Sequence, residues 1–217
     1  MIISTSDNVK LNVQKTGEGT AVLFLHEFGG DQRSWKPQIN YFSRRYECIT
    51  FNARGYPPSD VPESIESYSQ ERAIEDIADV MKELSVDKAH IVGLSMGGFA
   101  ALHFGIKYPE KAISLTVAGS GYGAEKQYED YFRNVSKDVA SQFIKLGSKE
   151  FSKIYAKASS RIPFLIKDKT GWEDFLKILS EHSNVGASMT MKGVQAKRPS
   201  LYDLEDKIKN IEIPTLI

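Results

Sequence analysis

Four short apolar runs punctuate the first 120 residues, each closed by turn-forming residues: TAVLFLH (20–26), ECITFNA (47–53), AHIVGLS (89–95) and AISLTVAGS (112–120). Unbroken apolar runs of this length suit strands buried on both faces, as in a parallel sheet. VKLNVQ (9–14) alternates instead and predicts a half-exposed early strand. Between the runs the period becomes helical, in RSWKPQINYFSRR (33–45) and SYSQERAIEDIADVMKELS (67–85). In the second, Ile74, Ile77, Val80, Met81 and Leu84 form one stripe, and Ser67 with Gln70 offers a capping box. Strand and helix in alternation predict a parallel α/β sheet.

After residue 123 the rhythm changes. Tyr128, Tyr131, Phe132, Val135, Val139, Phe143 and Leu146 share one helical face, with Gly147 as its stop. Phe151, Ile154, Tyr155 and Ala158 continue the pattern, and so do Trp172, Phe175, Leu176 and Leu179. A helical block too long for one crossover reads as an inserted cap. The chain then returns to strand character in IEIPTLI (211–217). The expected division is a core over 1–123, a helical cap over 124–199 and a return to the core over 200–217.

Candidate chemistry lies where the third run meets the next helix. Gly93, Leu94, Ser95, Met96 and Gly97 spell G-x-S-x-G, with an apolar strand before and the small-residue segment GGFAALHFGIKYP after. A nucleophilic serine presented on a sharp strand-to-helix turn needs glycine on either side, because side chains there would strike the neighbouring strand and helix. Ser95 is the candidate nucleophile. A tetrahedral intermediate then needs two N–H donors aimed at its oxyanion. Met96, next after the serine, offers one, and Phe28 in LHEFGG (25–30) offers the other. His26 in that loop reads as a partner of nearby backbone rather than a base. Arg54 and Asp60 fall in NARGYPPSD (52–60), a structural loop that Arg54 could brace.

Composition narrows the class. Of 217 residues, 41% are hydrophobic and 26% charged, with 28 basic and 28 acidic side chains. That allows one sizeable core and gives no bulk charge to draw nucleic acid or anionic membrane. The single cysteine, Cys48, lies in a core run and cannot form an internal disulfide. There is no cysteine cluster or close histidine pair for a metal, no dinucleotide fingerprint, no signal-peptide pattern and no apolar stretch of about 18 residues. The expectation is a cytoplasmic protein acting on a small molecule, with no cofactor, metal, nucleic-acid or membrane partner.

Together LHEFGG, FNARGYPPSD, HIVGLSMGG and IEIPTLI, with a helical block before the last, resemble the α/β-hydrolase superfamily from about Val9 onward. The resemblance implies a three-layer sandwich with a mostly parallel central sheet and a helical cap. It also implies Ser95 as nucleophile, an oxyanion hole from Phe28 and Met96, and a chain order of serine, acid, histidine. Two departures stand out. Glu27 occupies a position where glycine is usual, and the chain stops at Ile217, before the usual acid and histidine. The expectation is therefore a fold whose C-terminal part is missing. The candidate activity is a serine hydrolase cleaving a small apolar ester-like substrate through an acyl-enzyme, with the 217 residues alone nearly inactive. Alternatives are a C–C bond hydrolase, a cofactor-free haloperoxidase, or a non-catalytic ligand-binding protein. Epoxide hydrolases and haloalkane dehalogenases are disfavoured, because they need a carboxylate where Ser95 stands. His182, the histidine of the helical block, reads as a solvated helix end.

Overall fold

The computed structural model describes residues 1–121 and 125–217. Its strands are β1 (Ile2–Ser4), β2 (Lys10–Thr16), β3 (Ala21–Leu25), β4 (Glu47–Phe51), β5 (Ala89–Leu94), β6 (Ala112–Ala118) and β7 (Thr215–Leu216). They form one sheet in the order β1-β2-β4-β3-β5-β6-β7. β1 and β2 run antiparallel at one edge, and every pairing from β4 to β7 is parallel. Each of the apolar runs became a strand. The central strand β3 is buried along its whole length, which is why its sequence shows no alternation.

Helices α1 (Lys36–Phe42), α2 (Gln70–Glu83) and α3 (Met96–Lys107) connect the strands of the first half. The α2 stripe faces inward: Ile74, Ile77, Val80 and Met81 are buried in one cluster with Leu11, Leu23, Ile49 and Ile91, and Leu84 packs at its margin. Each such side chain contributes roughly 1.5–3 kcal/mol by leaving water. The cap of α2 differs from expectation. Ser67 ends a short 3₁₀ turn, and Ser69 is the N-cap, its hydroxyl accepting from the Arg72 amide.

Between β6 and β7 lie α4 (Glu129–Leu146), α5 (Ser148–Tyr155), α6 (Ile162–Lys167), α7 (Lys169–Ser180), α8 (Asn184–Thr190), a π-helical turn (Met191–Gln195) and α9 (Glu205–Lys209). The expected start of this block at Ala124 lies outside the described residues. Gly147 stops α4 with φ +77°, as expected. The helices pack through Phe143, Phe151, Trp172, Phe175 and Met191 onto Phe28 and Tyr56, in the loops after β3 and β4, and onto Met96, the first residue of α3. Gly186 of α8 sits so close to Gly55 that a Cβ on it would lie 1.9 Å from the Gly55 carbonyl oxygen. The return strand is shorter than the run 211–217 suggests. Only Thr215 and Leu216 pair, beside Leu115 and Thr116 of β6, and both are exposed. No helix among the described residues is long and apolar enough to cross a membrane.

One buried ionic cluster ties the β4 loop to α2 and to the β1–β2 turn. Arg54, buried, donates through all of its N–H groups: two bonds to the Asp76 carboxylate at 2.8 and 2.6 Å, two to Asp7 at 2.8 and 2.9 Å, and one to the Ser67 carbonyl at 2.9 Å. The Arg54 hydrogen bonds hold the Asp7 carboxyl well below the usual range, while burial pushes Asp76 up against the same guanidinium. Asp60 also has a structural duty, accepting from the Lys10 amide at 2.8 Å.

Candidate active site

Ser95 stands between β5 and α3 with φ +53° and ψ −110°, a conformation that an L residue adopts only under local constraint. Its amide donates to the Ala118 carbonyl at 2.8 Å, and its carbonyl accepts from Phe99 N–H at 3.0 Å and from the Ser120 hydroxyl at 3.2 Å. The flanking glycines are sterically required. A Cβ on Gly93 would lie 2.0 Å from the Gly97 carbonyl oxygen, and one on Gly97 would lie 2.1 Å from the Leu25 carbonyl oxygen. Strand, turn and helix are thus pressed together until only glycine fits, as the G-x-S-x-G reading expects. Ser95 opens onto a cleft of about 1490 Å³ between the sheet's carboxyl edge and the helical block.

The first turn of α3 leaves the Met96 N–H without a carbonyl partner among the described residues and adds the positive end of the helix dipole. The loop after β3 carries the second amide that the sequence reading names. The Phe28 amide donates to nothing among the described residues. Its orientation is set through the other end of the same peptide: the Glu27 carbonyl accepts from His26 Nδ1 at 2.8 Å and from Gly30 N–H at 3.3 Å. Because a trans peptide places C=O and N–H on opposite sides, clamping one fixes the other. His26 Nε2 accepts from the Ala53 amide at 3.1 Å, so the neutral ring carries its proton on Nδ1. Burial lowers its pKa and keeps it neutral. His26 therefore serves backbone, as expected from its place in the loop. A further brace is invisible in the sequence: the Tyr56 hydroxyl, three elements away, donates to the Phe28 carbonyl at 3.0 Å.

The other three histidines also lie away from Ser95. His90 bonds the Ser114 hydroxyl at 2.7 Å, and His103 is buried on α3. His182 corrects the expectation of a solvated helix end. It is buried, edge-on to the Tyr56 ring at 4.9 Å, and burial pushes its pKa down to about 3. It packs there because α7 ends over the β4 loop, a contact that local polarity does not encode. No histidine lines the Ser95 cleft, whereas Glu27 does, with Arg161 nearby on the helical block. Arg161 lies over the rings of Phe175 and Tyr155 at 5.0 and 5.6 Å. Among the described residues no three acidic, histidine or cysteine side chains gather as a metal site.

Histidines kept neutral make the fold acid-sensitive. His26, His103 and His182 all have lowered pKa values, chiefly by burial, about 4 for His103 and about 3 for His182. The unfolded chain takes up protons below about pH 6.5 that the folded one refuses, so stability is full above that pH and falls as pH drops toward 3. Each group adds a slope of up to about 1.36 kcal/mol per pH unit. His182→Phe is expected to flatten the fall of urea midpoint between pH 6.5 and 4 by up to one such slope. An unchanged slope would show that His182 titrates alike in both states.

Comparison with known proteins agrees with this architecture. A family model described as alpha/beta hydrolase fold matches residues 20–217. The 3-oxoadipate enol-lactonase 1 of Acinetobacter baylyi is 34% identical over 122 residues, 55% of this chain and 45% of that enzyme. Epoxide hydrolase 1 of Caenorhabditis elegans is 36% identical over 109 residues, 49% of this chain and 27% of its own length. These alignments thus span less than half of either relative. A thermophilic esterase from Thermogutta terrifontis superposes with a TM-score of 0.84 at 22% identity, covering 99% of this chain and 77% of its own. With a parallel sheet, a strained serine turn and a family match over nearly the whole sequence, the chain belongs to the α/β-hydrolase-fold family.

Proposed function

We propose that Ser95 is the nucleophile of a serine hydrolase acting on a small, largely apolar ester, lactone or related acyl compound. The observation that carries the proposal is the Ser95 turn itself, with φ +53° enforced by backbone contacts at Gly93 and Gly97. Ser95 Oγ attacks the acyl carbon, and the oxyanion forms between the Phe28 and Met96 amides. Loss of the alcohol leaves an acyl-serine, which water then hydrolyses. Apolar side chains such as Phe132, Val139, Phe151 and Phe164 line the cleft and suit an apolar acyl or alcohol group. In this scheme residues 124–199 act as the cap over the bound substrate. No histidine of the chain lines the cleft, so none of the four is placed to act as the general base for Ser95. That same observation favours a second reading, a cleft that binds such compounds without turning them over. The fold also accommodates C–C bond hydrolysis or cofactor-free haloperoxidation at a serine of this kind.

Acyl transfer separates the two main readings. Without a base to drive deacylation, an acyl-serine once formed persists. After long incubation with p-nitrophenyl acetate, mass spectrometry is expected to find one acetyl group on the peptide carrying Ser95, absent in Ser95→Ala. Acetylation confined to exposed lysines would favour binding without chemistry.

A further inference from the structure

Glu27 is the residue that the Ser95 chemistry leaves unexplained. It sits in the loop that carries the Phe28 amide, it is 8% exposed, and it lines the same cleft as Ser95. Its Oε2 has no hydrogen-bond partner, and its Oε1 lies against the turn at Gly30, beside the Ser34 hydroxyl. No salt bridge reaches it among the described residues. Burial holds its pKa above the ordinary value, opposed by the Arg161 charge and by a hydrogen bond from its own backbone, with the Asp31 charge adding to the rise, so that of the two oxygens Oε2 is the unsatisfied one. An unsatisfied buried carboxyl is costly, and a methylene-rich side chain in its place would not be. Such a cost, sited beside an oxyanion amide, points to a ligand that completes the hydrogen bond.

We propose that Glu27 is a specificity residue that hydrogen-bonds a hydroxyl group of the substrate close to the scissile bond, so that the site prefers hydroxylated acyl compounds. The proposal rests on the reading of the Ser95 cleft as the substrate site. The neighbouring Arg161 argues for a neutral hydroxyl over an ammonium, which its charge would repel. Charged and apolar side chains share the lining, and Glu27 is the buried carboxyl in the loop that carries the Phe28 amide; a site built around a hydrogen bond there rejects the analogue lacking it.

Binding tests this without requiring turnover. On Ser95→Ala, calorimetry compares benzyl lactate with benzyl propionate, and the phenylacetate ester of ethylene glycol with that of ethanol. The hydroxylated member of at least one pair is expected to bind about tenfold tighter. Adding Glu27→Met should remove that difference while leaving the plain ester bound, and Glu27→Gln, which keeps a donor and an acceptor, should retain part of it. Glu27→Met should also melt several degrees higher, because the unsatisfied group is gone. Equal affinity within both pairs, no binding of any ester, a difference that survives Glu27→Met, or a lower melting temperature for that variant would each overturn the proposal. Failure of the nucleophile assignment shows separately, as absence of an acyl group on Ser95.

Discussion

Assayed as these 217 residues, the protein is expected to turn over p-nitrophenyl acetate about a millionfold more slowly than a serine hydrolase with a whole triad. The oxyanion donors and binding alone leave roughly 10³–10⁴ over water. The reason is visible in the placement of the four histidines. His26 has both ring nitrogens engaged with backbone, His90 bonds Ser114, His103 is buried on α3 and His182 is buried against Tyr56. Triad members act as a unit, so with the base missing, Ser95→Ala should cost little further turnover. A stopped-flow or long-time plate assay of both proteins checks this. Robust turnover that Ser95→Ala abolishes would contradict the assignment of the base and would direct attention to His182 or His26.

The largest stability effect is expected at Arg54. Removing it by Arg54→Ala leaves the buried Asp76 carboxyl without two of its hydrogen bonds, with Arg72 at 3.3 Å as its remaining partner, and takes two hydrogen bonds from Asp7 as well. Breaking a buried pair from one side costs about 3–5 kcal/mol. For a domain of this size that lowers the melting temperature by roughly 6–20 °C. The double change Arg54→Met with Asp76→Leu removes both buried charges and should recover a substantial part of the loss. Thermal unfolding of the two variants decides it. A loss under about 1 kcal/mol for Arg54→Ala would mean that water takes over the role of the guanidinium.

How far these features could be read from the chain depends on how local their causes are. The sheet was legible because burial on both faces writes continuous apolar runs, and the α2 stripe because its partners all lie on one side. The Ser95 turn was legible because its steric demand falls on residues two positions away, Gly93 and Gly97. What could not be read involves partners distant in sequence. The Tyr56 hydroxyl on Phe28, the burial of His182 behind Tyr56 and the salt-bridged Arg54 are each set by how separate loops meet. Ser69 displaced Ser67 as the α2 cap because the chain makes a 3₁₀ turn first, and both serines carry the same propensity. The run 211–217 overstated β7 because apolar sequence alone does not provide a strand to pair with along its length. Glu27 was visible as an odd residue in its loop, but its burial and its unpartnered oxygen belong to the folded loop.

The central claim is that Ser95 attacks a carbonyl whose oxygen is received by the Phe28 and Met96 amides. A crystal structure of the chain after long incubation with an ethyl fluorophosphonate tests it most directly. Phosphorus bonded to Ser95 Oγ, with its oxygen about 3 Å from both amide nitrogens, is the predicted result. Phosphorus on another side chain, or an oxygen on Ser95-bound phosphorus turned away from either amide, would contradict it.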